Sequence, residues 1–373
     1  MNGPERGALA DVRVLEFAGI GPVPFCGMLL ADLGADVVRV DRKSLVPQDP
    51  LAPENRGRRS IALDLKSEEG RAAAMALMVR ADIVIEGYRP GVMERLGLGP
   101  DVALANRPSL VYGRMTGWGQ DGPSSRRAGH DINYIAISGA LHAIGTADRP
   151  QIPLNLVGDY GGGALHLALG VLAALHHARA TGQGQVVDCA MSDAAVSLLS
   201  MIHGRWDDGT WRDSRESNVI DGGAHFYNVY QCRDGHWIAV GAIEPQFYRE
   251  LIDRMGIDDP QFDDQLDEQS WPKLKQKLAA IFAGRTRAEW CALLEDSDAC
   301  FAPVLSLGEA PLHPHNRARG AYVVRDGKIR TGPAPKLSLT PSTARPGARF
   351  SDEDGDVVRD WAERASPARG DGR

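Results

Sequence analysis

The sequence predicts an α/β protein: a large domain built on a parallel sheet, followed by a smaller α+β domain. Three observations predict it. Residues 12–41 open the chain as strand, glycine loop, helix and strand. Short β-branched runs then recur between helical stretches, the pattern of a parallel sheet covered by helices. Finally, the composition changes over residues 203–224, after which a hairpin and amphipathic helices begin. A length of 373 residues accommodates two domains, or three small ones.

The elements follow in order. Residues 12–17 (VRVLEF) are a strand and residues 18–24 a Gly/Pro loop. Residues 25–33 form an apolar helix stopped by Gly34, and residues 36–41 the next strand. Residues 60–65 are a strand; residues 67–81 are a helix opened by Ser67 and Glu69. Further strands are expected at 82–86, 110–115 and 186–189. Tyr160-Gly161-Gly162-Gly163 leads into an Ala/Leu helix that runs to His177 and is apolar nearly all round, as buried helices are. Its apolar stretch, 164–175, is too short to span a bilayer. Residues 1–202 therefore read as the large domain, 203–224 as an extended linker and 225–310 as the small domain. In the small domain, strands at 226–232 and 236–242 flank the turn Arg233-Asp234-Gly235, with helices at 246–255, 271–283 and 286–295. A Pro-rich stretch, 311–346, leads to a charged helix near 352–364.

Charge and cysteine content narrow the function. Forty-two basic and 49 acidic residues give a net charge of −7, which speaks against a nucleic-acid binder or a basic membrane-surface protein. No apolar signal core precedes the first strand. The five cysteines are scattered, with no C-x-x-C pair, so neither a zinc ribbon nor a disulfide framework is indicated and a reduced, cytoplasmic location is expected.

Four constellations could carry chemistry. Gly19-x-Gly21 after a strand, with Asp41 ending the next strand, imitates a dinucleotide site, but Pro24 replaces the third glycine and offers no N–H to a pyrophosphate. Arg39, Arg42, Arg56, Arg58, Arg59, Arg89 and Arg95 are concentrated in the first hundred residues. Guanidinium forks suit a polyphosphate, and solvated loop charge is the plainer alternative. His130, in GHDINY, sits on a loop where a base or an ordinary surface histidine would fit. Asp159 precedes three glycines, where it could react or cap the following helix. There is no G-x-S-x-G elbow, which disfavours a serine hydrolase.

Seven segments in order carry a resemblance: LADVRVLEFAGIGPVPFCGMLLADLGADVVRVDR, NRGRRSIALDLK, IEGYRPGVMERLGLGP, AGHDINY, PLNLVGDYGGG, GQGQVVD and VGAIEPQFY. Together they are similar to the family III CoA transferases, from about residue 9 to the SDAC-x-APVL segment at 297–305. The resemblance implies a Rossmann-like large domain made from both chain ends, so that residues 311–373 return to it. It also implies two chains interlocked as a homodimer, with each site between the large domain of one and the small domain of the other.

Family transferases use an aspartate nucleophile, which Asp159 matches. A racemase branch adds a histidine, matched by His130, and an acid that pairs with it from the neighbouring subunit, matched by Glu244. Having all three implies exchange of the α-proton of an acyl-CoA thioester through an enolate, with His130 and Asp159 as opposed bases. Departures are Gly158, an alanine in some relatives, and Tyr160, usually phenylalanine, whose hydroxyl could alter the Asp159 pKa. For CoA, Arg42 and Arg95 are the foremost phosphate contacts, with Arg89 and Arg39 behind them. Ala62, Leu63, Asp64 and Leu65 would meet the adenosine, and Gly129, Asp131, Ile132, Asn133 and Tyr134 the thioester end. Backbone N–H groups of residues 129–131 would donate to the enolate oxygen. No metal or redox cofactor is expected, CoA being part of the substrate. A CoA transferase with Asp159 as nucleophile and a CoA-binding protein without turnover are the alternatives.

Overall fold

The computed structural model describes residues 7–42, 53–325, 327–347 and Trp361. The helix expected near 352–364 lies outside the described residues except for Trp361. The chain divides into two compact units. One is made of residues up to Ser138, Leu154–Leu198 and those from Ala318 on, the other of Gly139–Pro153 and Leu199–Arg317.

The first unit is built on six parallel strands: β1 (Arg13–Phe17), β2 (Asp36–Arg42), β3 (Arg58–Leu63), β4 (Ile83–Glu86), β5 (Val111–Thr116) and β6 (Val186–Ala190). Their spatial order is β3-β2-β1-β4-β5-β6, the doubly wound Rossmann order. Strand side chains alternate between faces, and both faces are covered. Val14, Val37, Ile83, Ile85 and Val111 pack with helix α1 (Pro22–Asp32) on one side. Leu15, Val38, Val40, Val84 and Tyr112 pack with α2 (Glu68–Met78) and the buried Trp361 on the other. Ser67 caps α2 by accepting from the Gly70 N–H at 3.0 Å, and Gly34 takes the left-handed conformation (φ 107°) after α1.

Three of the sequence's candidate phosphate arginines are spent inside this unit. Arg39 is buried and donates to Asp41 at 2.9 Å and to Asn55 at 2.5 Å. Arg56 holds Asp32 at 2.5 Å, and Arg58 holds the fully buried Glu16. Charges this deep are tolerated only when paired. Arg59 pairs with Asp36 at 2.7 Å. Asp41, the acid that imitated a ribose ligand, is occupied by Arg39 and Ser60.

Helix α3 (Asp131–Ser138) precedes the boundary. The chain re-enters at Leu154 and winds into a π-helical stretch, Leu156–Ala164, that continues without a break into α4 (Leu165–Thr181). Asp159 lies inside this wide turn, so it is no helix cap. The fused helix has 26 residues and is long and apolar enough, by length and composition, to cross a membrane. That corrects the shorter apolar stretch expected from sequence. Leu167, Val171, Ala174 and Leu175 of α4 are buried in the core beneath the sheet. Helix α5 (Met191–Leu198) follows β6.

The second unit begins where a linker is expected, and that stretch is structured. Helix α6 (Ser200–Asp207) enters it, and Asp221 then accepts from the N–H groups of Ser217 (3.2 Å), Asn218 (2.8 Å) and Gly223 (3.0 Å). Strands β7 (Tyr227–Gln231), β8 (Trp237–Gly241) and β9 (Phe301–Val304) pair in an antiparallel sheet. Helices α7 (Pro245–Met255), α8 (Trp271–Phe282) and α9 (Arg287–Leu294) pack Tyr248, Leu251, Leu274, Leu278 and Trp290 against Phe226, Ile238 and Val240. Residues 139–153, read from sequence as part of the large domain, cluster with this unit instead.

The chain then returns to the first unit with the hairpin β10 (Tyr322–Arg325) and β11 (Lys328–Thr331). Arg56 donates to the Thr331 carbonyl at 2.5 Å. Arg345 donates to the carbonyls of Ala31 (2.8 Å) and Ala35 (2.7 Å), closing the C-terminal end of α1.

Candidate active site

In a doubly wound sheet, ligands gather beyond the strand ends where the order reverses, here between β1 and β4. A cavity of about 400 Å³ lies there. It is walled by Ile20 and Gly21 after β1, by Tyr88 and Arg89 after β4, and by Met115–Trp118 at the end of β5. His130, Tyr134 and Asp159 complete it. Every lining residue belongs to the first unit.

The wall after β4 is fixed by a buried network. Glu86 accepts from the Tyr88 N–H at 2.6 Å and from Arg114 Nε at 2.9 Å, and Arg114 also holds Glu94 at 2.7 Å. Burial pushes the Glu86 carboxyl up, against the pull of the Tyr88 amide and Arg114. The opposite wall depends on glycines. Cβ atoms on Gly117 and Gly129 would lie 2.1 Å and 2.7 Å from the Tyr134 ring, so the ring fits only between bare backbones. Trp118 meets that ring edge-on at 4.7 Å.

Asp159 is half-buried at the cavity floor. Burial holds its carboxyl above the ordinary carboxylate range, and the neighbouring Asp131 charge adds to the rise. The Asn155 side chain and the charge of His130 act in the opposite direction. Its backbone N–H donates to Asp131 Oδ1 at 2.6 Å. A Cβ on Gly21 would sit 3.2 Å from Asp159 Oδ2, so the carboxylate stands at the amino end of α1. That is where a dinucleotide pyrophosphate would rest, and both Pro22 and Pro24 lack the N–H groups such a ligand needs. The dinucleotide reading fails on these grounds.

His130 is exposed at the rim, and its own N–H donates to Asn133 Oδ1 at 3.0 Å. That amide is therefore engaged, which corrects its expected role as an enolate donor. Asp131 is buried, and its side chain accepts from the Asp159 amide. Ile132 and Asn133 are exposed, and neither they nor Asp131 line the cavity. Tyr160 stacks on Phe25 at 4.2 Å and reaches Glu54 at 3.4 Å. Its hydroxyl thus turns to Glu54, and the causes of the Asp159 rise do not include it.

Arg42 is exposed at the end of β2, 5.7 Å from the centre of the Tyr88 ring. Strand register puts Ala62 beside Asp41 and Leu63 beside Arg42, with the exposed Asp64 just past the end of β3. Leu65 is half-buried beyond it. Arg89 is in the cavity wall; Arg95 is exposed on the short helix Val92–Arg95 and is not. Glu244 is exposed immediately before α7, in the second unit. Sequence reasoning missed Tyr88, Trp118 and Arg127 in the wall. For Tyr88 and Trp118 the available signal was their position just past β4 and β5; Arg127 lies well beyond β5 and had none.

A second cavity, of about 610 Å³, lies wholly within the second unit against β7, β8 and β9. Its carboxylates serve the fold: Glu216 holds Lys275 at 3.0 Å, and Asp221 holds three backbone amides. Among the described residues no group of His, Cys, Asp and Glu side chains could hold a metal ion.

This chain belongs to CoA-transferase family III, whose model matches residues 9–351. It is 45% identical to the mouse protein named alpha-methylacyl-CoA racemase, over 90% of this chain and 87% of that one. Against the human protein of the same name it is 43% identical over 90% and 88%. Among solved structures, a Mycobacterium tuberculosis protein superposes with a TM-score of 0.80 at 26% identity, covering 95% of this chain and 100% of that one. A CaiB/BaiF family protein from Brucella suis shares the fold with a TM-score of 0.82 at 24% identity, over 95% and 99%.

Proposed function

We propose that the chain is an acyl-CoA racemase that interconverts (R)- and (S)-2-methylacyl-CoA thioesters. One observation carries the reading. The cavity at the switch point holds a carboxyl raised toward its neutral form, Asp159, together with an imidazole, His130. Relatives named alpha-methylacyl-CoA racemase, at 43% and 45% identity, support the substrate class.

The α-proton of a thioester is a weak acid, and inversion needs one group on each face of the carbon. In one direction His130 takes the proton. The C–H electron pair then moves into the carbonyl to give the enolate, and neutral Asp159 delivers a proton to the opposite face. In the other direction the ionised Asp159 abstracts and the imidazolium returns. A carboxyl with a raised pKa serves both roles better than an ordinary one, because catalytic groups work best when poised near the operating pH. Glu244 of a second copy would orient the imidazole and favour its protonated form, which makes the working enzyme a homodimer. Arg42, Arg89 and Arg95 would hold the CoA phosphates, with residues 62–65 beneath the adenosine. This chemistry needs no metal or redox group. The five cysteines are free thiols, in keeping with a reducing, cytoplasmic setting.

The test is α-proton exchange. A 2-methylacyl-CoA of one configuration, incubated in D₂O, should gain deuterium at the α-carbon as it epimerises. His130→Ala and Asp159→Asn should each slow this by roughly 10²–10⁴-fold. Wild-type protein that transfers CoA between acids while leaving the α-hydrogen unexchanged would overturn the reading in favour of a transferase.

A further inference from the structure

The reaction read above uses Asp159 and His130, yet a second carboxylate lies buried behind them. Asp131 follows His130 directly and is the first residue of α3. Its Oδ1 accepts the Asp159 N–H at 2.6 Å, while its Oδ2 is buried with no hydrogen-bond partner among the described residues. A buried carboxylate oxygen left unpaired costs free energy, so the fold keeps it against a penalty. The approach is also close: a Cβ on residue 158 would lie 2.6 Å from Asp131 Oδ1 and 3.1 Å from Ile135. Gly158, the departure noted in the sequence, is therefore what lets Asp131 reach the chain at Asp159.

We propose that Asp131 is a positioning residue: one carboxylate oxygen ties the Asp159 backbone to the loop carrying His130, and so fixes the separation of the two bases across the substrate's α-carbon. The proposal rests on the reading of His130 and Asp159 as that pair. The geometry leaves little alternative use for the side chain, since Asp131 is buried and does not line the cavity. Its charge also bears on Asp159, contributing to the raised pKa of that carboxyl. Asp131 thus acts twice on the same neighbour, by a hydrogen bond to its amide and by a field at its carboxylate.

The two actions separate by substitution. Asp131→Asn keeps the size and an amide oxygen for the Asp159 N–H but removes the charge. Asp131→Ala removes both. Asp131→Ala should lower kcat by roughly 10- to 100-fold, as a small misplacement of a reacting group does, with KM for the acyl-CoA changed by less than about twofold. Asp131→Asn should shift the Asp159-controlled limb of the pH–rate profile to lower pH, because a like charge has been removed. A Tm lowered with both kcat and the pH profile at their wild-type values would mean a purely structural role and would overturn the proposal. If Asp131→Ala fails to fold, the isosteric Asn variant still decides the question through its profile. Asp159→Asn is measured in parallel. If it is inactive while both Asp131 variants behave as wild type, only this proposal fails; if it remains active, the reading of the bases fails with it.

Discussion

Gly21 and Asp159 meet at the amino end of α1: the glycine has φ +70°, and a Cβ built on it would come within 3.2 Å of Asp159 Oδ2. Bare backbone is needed here for two reasons, conformation and space. Gly21→Ala should lower stability by at least about 1 kcal/mol, because φ 70° with ψ −117° is a backbone that L side chains rarely adopt. It should also press on the carboxylate, lowering kcat on the order of 10- to 100-fold. Urea unfolding and steady-state kinetics on the same preparation check both.

Asp159 sets stability against activity. Its folded pKa is raised, so the unfolded chain gives up that proton at lower pH than the folded one. The stability tied to its neutral form is complete below the ordinary aspartate pKa and is lost as pH rises through the folded value. Asp159→Asn removes this loss. It should therefore raise Tm at neutral pH while slowing epimerisation by roughly 10²–10⁴-fold, and the gain in Tm should vanish in acid. A variant less stable than wild type at neutral pH would contradict the burial argument.

His225 makes the second unit acid-sensitive. It is fully buried, its Nε2 lies 2.8 Å from the Tyr248 hydroxyl, and that hydroxyl donates to the Phe262 carbonyl at 3.0 Å. Nε2 must then carry the proton, which leaves Nδ1 buried without a partner among the described residues. Burial pulls the imidazole pKa down to about 4. A depressed histidine contributes stability that is present above the unfolded value, about 6.5, and is lost as pH falls through 4. The loss from this one group is about 3 kcal/mol at full protonation. Unfolding free energies measured between pH 7 and pH 4 should show it, and replacing His225 by Gln should flatten that part of the curve.

Arg39 and Arg42, three residues apart, should fail in opposite ways. Arg39 is buried on Asp41 and Asn55, so Arg39→Ala strands a carboxylate and should cost about 3–5 kcal/mol. Arg42 is exposed beside Tyr88, so Arg42→Ala should leave Tm nearly unchanged and raise KM for the acyl-CoA more than it lowers kcat. Paired thermal melts and kinetics distinguish the two.

The homodimer read for the working enzyme predicts complementation. His130→Ala and Glu244→Ala proteins, each inactive, should recover part of the activity when unfolded and refolded together. No recovery from soluble, dimeric mixtures would mean that each site is completed within one chain.

The sheet was legible because its signals are local. Runs such as VRVLEF and DIVIE, with Gly34 and Ser67 as punctuation, define strands and helix ends without knowledge of their neighbours. The third strand of the second unit escaped because Pro303 breaks its pattern; an edge strand tolerates a proline that an interior one would not. Asp159 and His130 were found through the motifs around them, and one cavity contains both. The arginines were misread in part because a sequence displays charge but not its partner. Asp32 and Glu16 come from a helix and a strand, and only the folded chain brings them to Arg56 and Arg58; Asp41, by contrast, lies two residues from Arg39 on one face of the same strand. The bond from the Asp159 N–H to Asp131 escaped the sequence for a similar reason: the two residues are 28 positions apart.

Arg345 has a consequence for how the protein is made. A ribosome releases the chain from its N-terminus, so all six strands of the first sheet have emerged well before the arginine that closes the end of α1. Trp361, whose indole N–H donates to Asp36 at 3.1 Å, arrives later still. Throughout translation of the second unit, the carbonyls of Ala31 and Ala35 lack the Arg345 guanidinium, and the sheet face that α2 covers lacks its Trp361 contact. These contacts of the large unit therefore form only after its sheet and both covering helices have been made. A premature stop after the second unit would leave a chain with every catalytic candidate present, its first helix held by its core packing and by Arg56 but without the Arg345 tie.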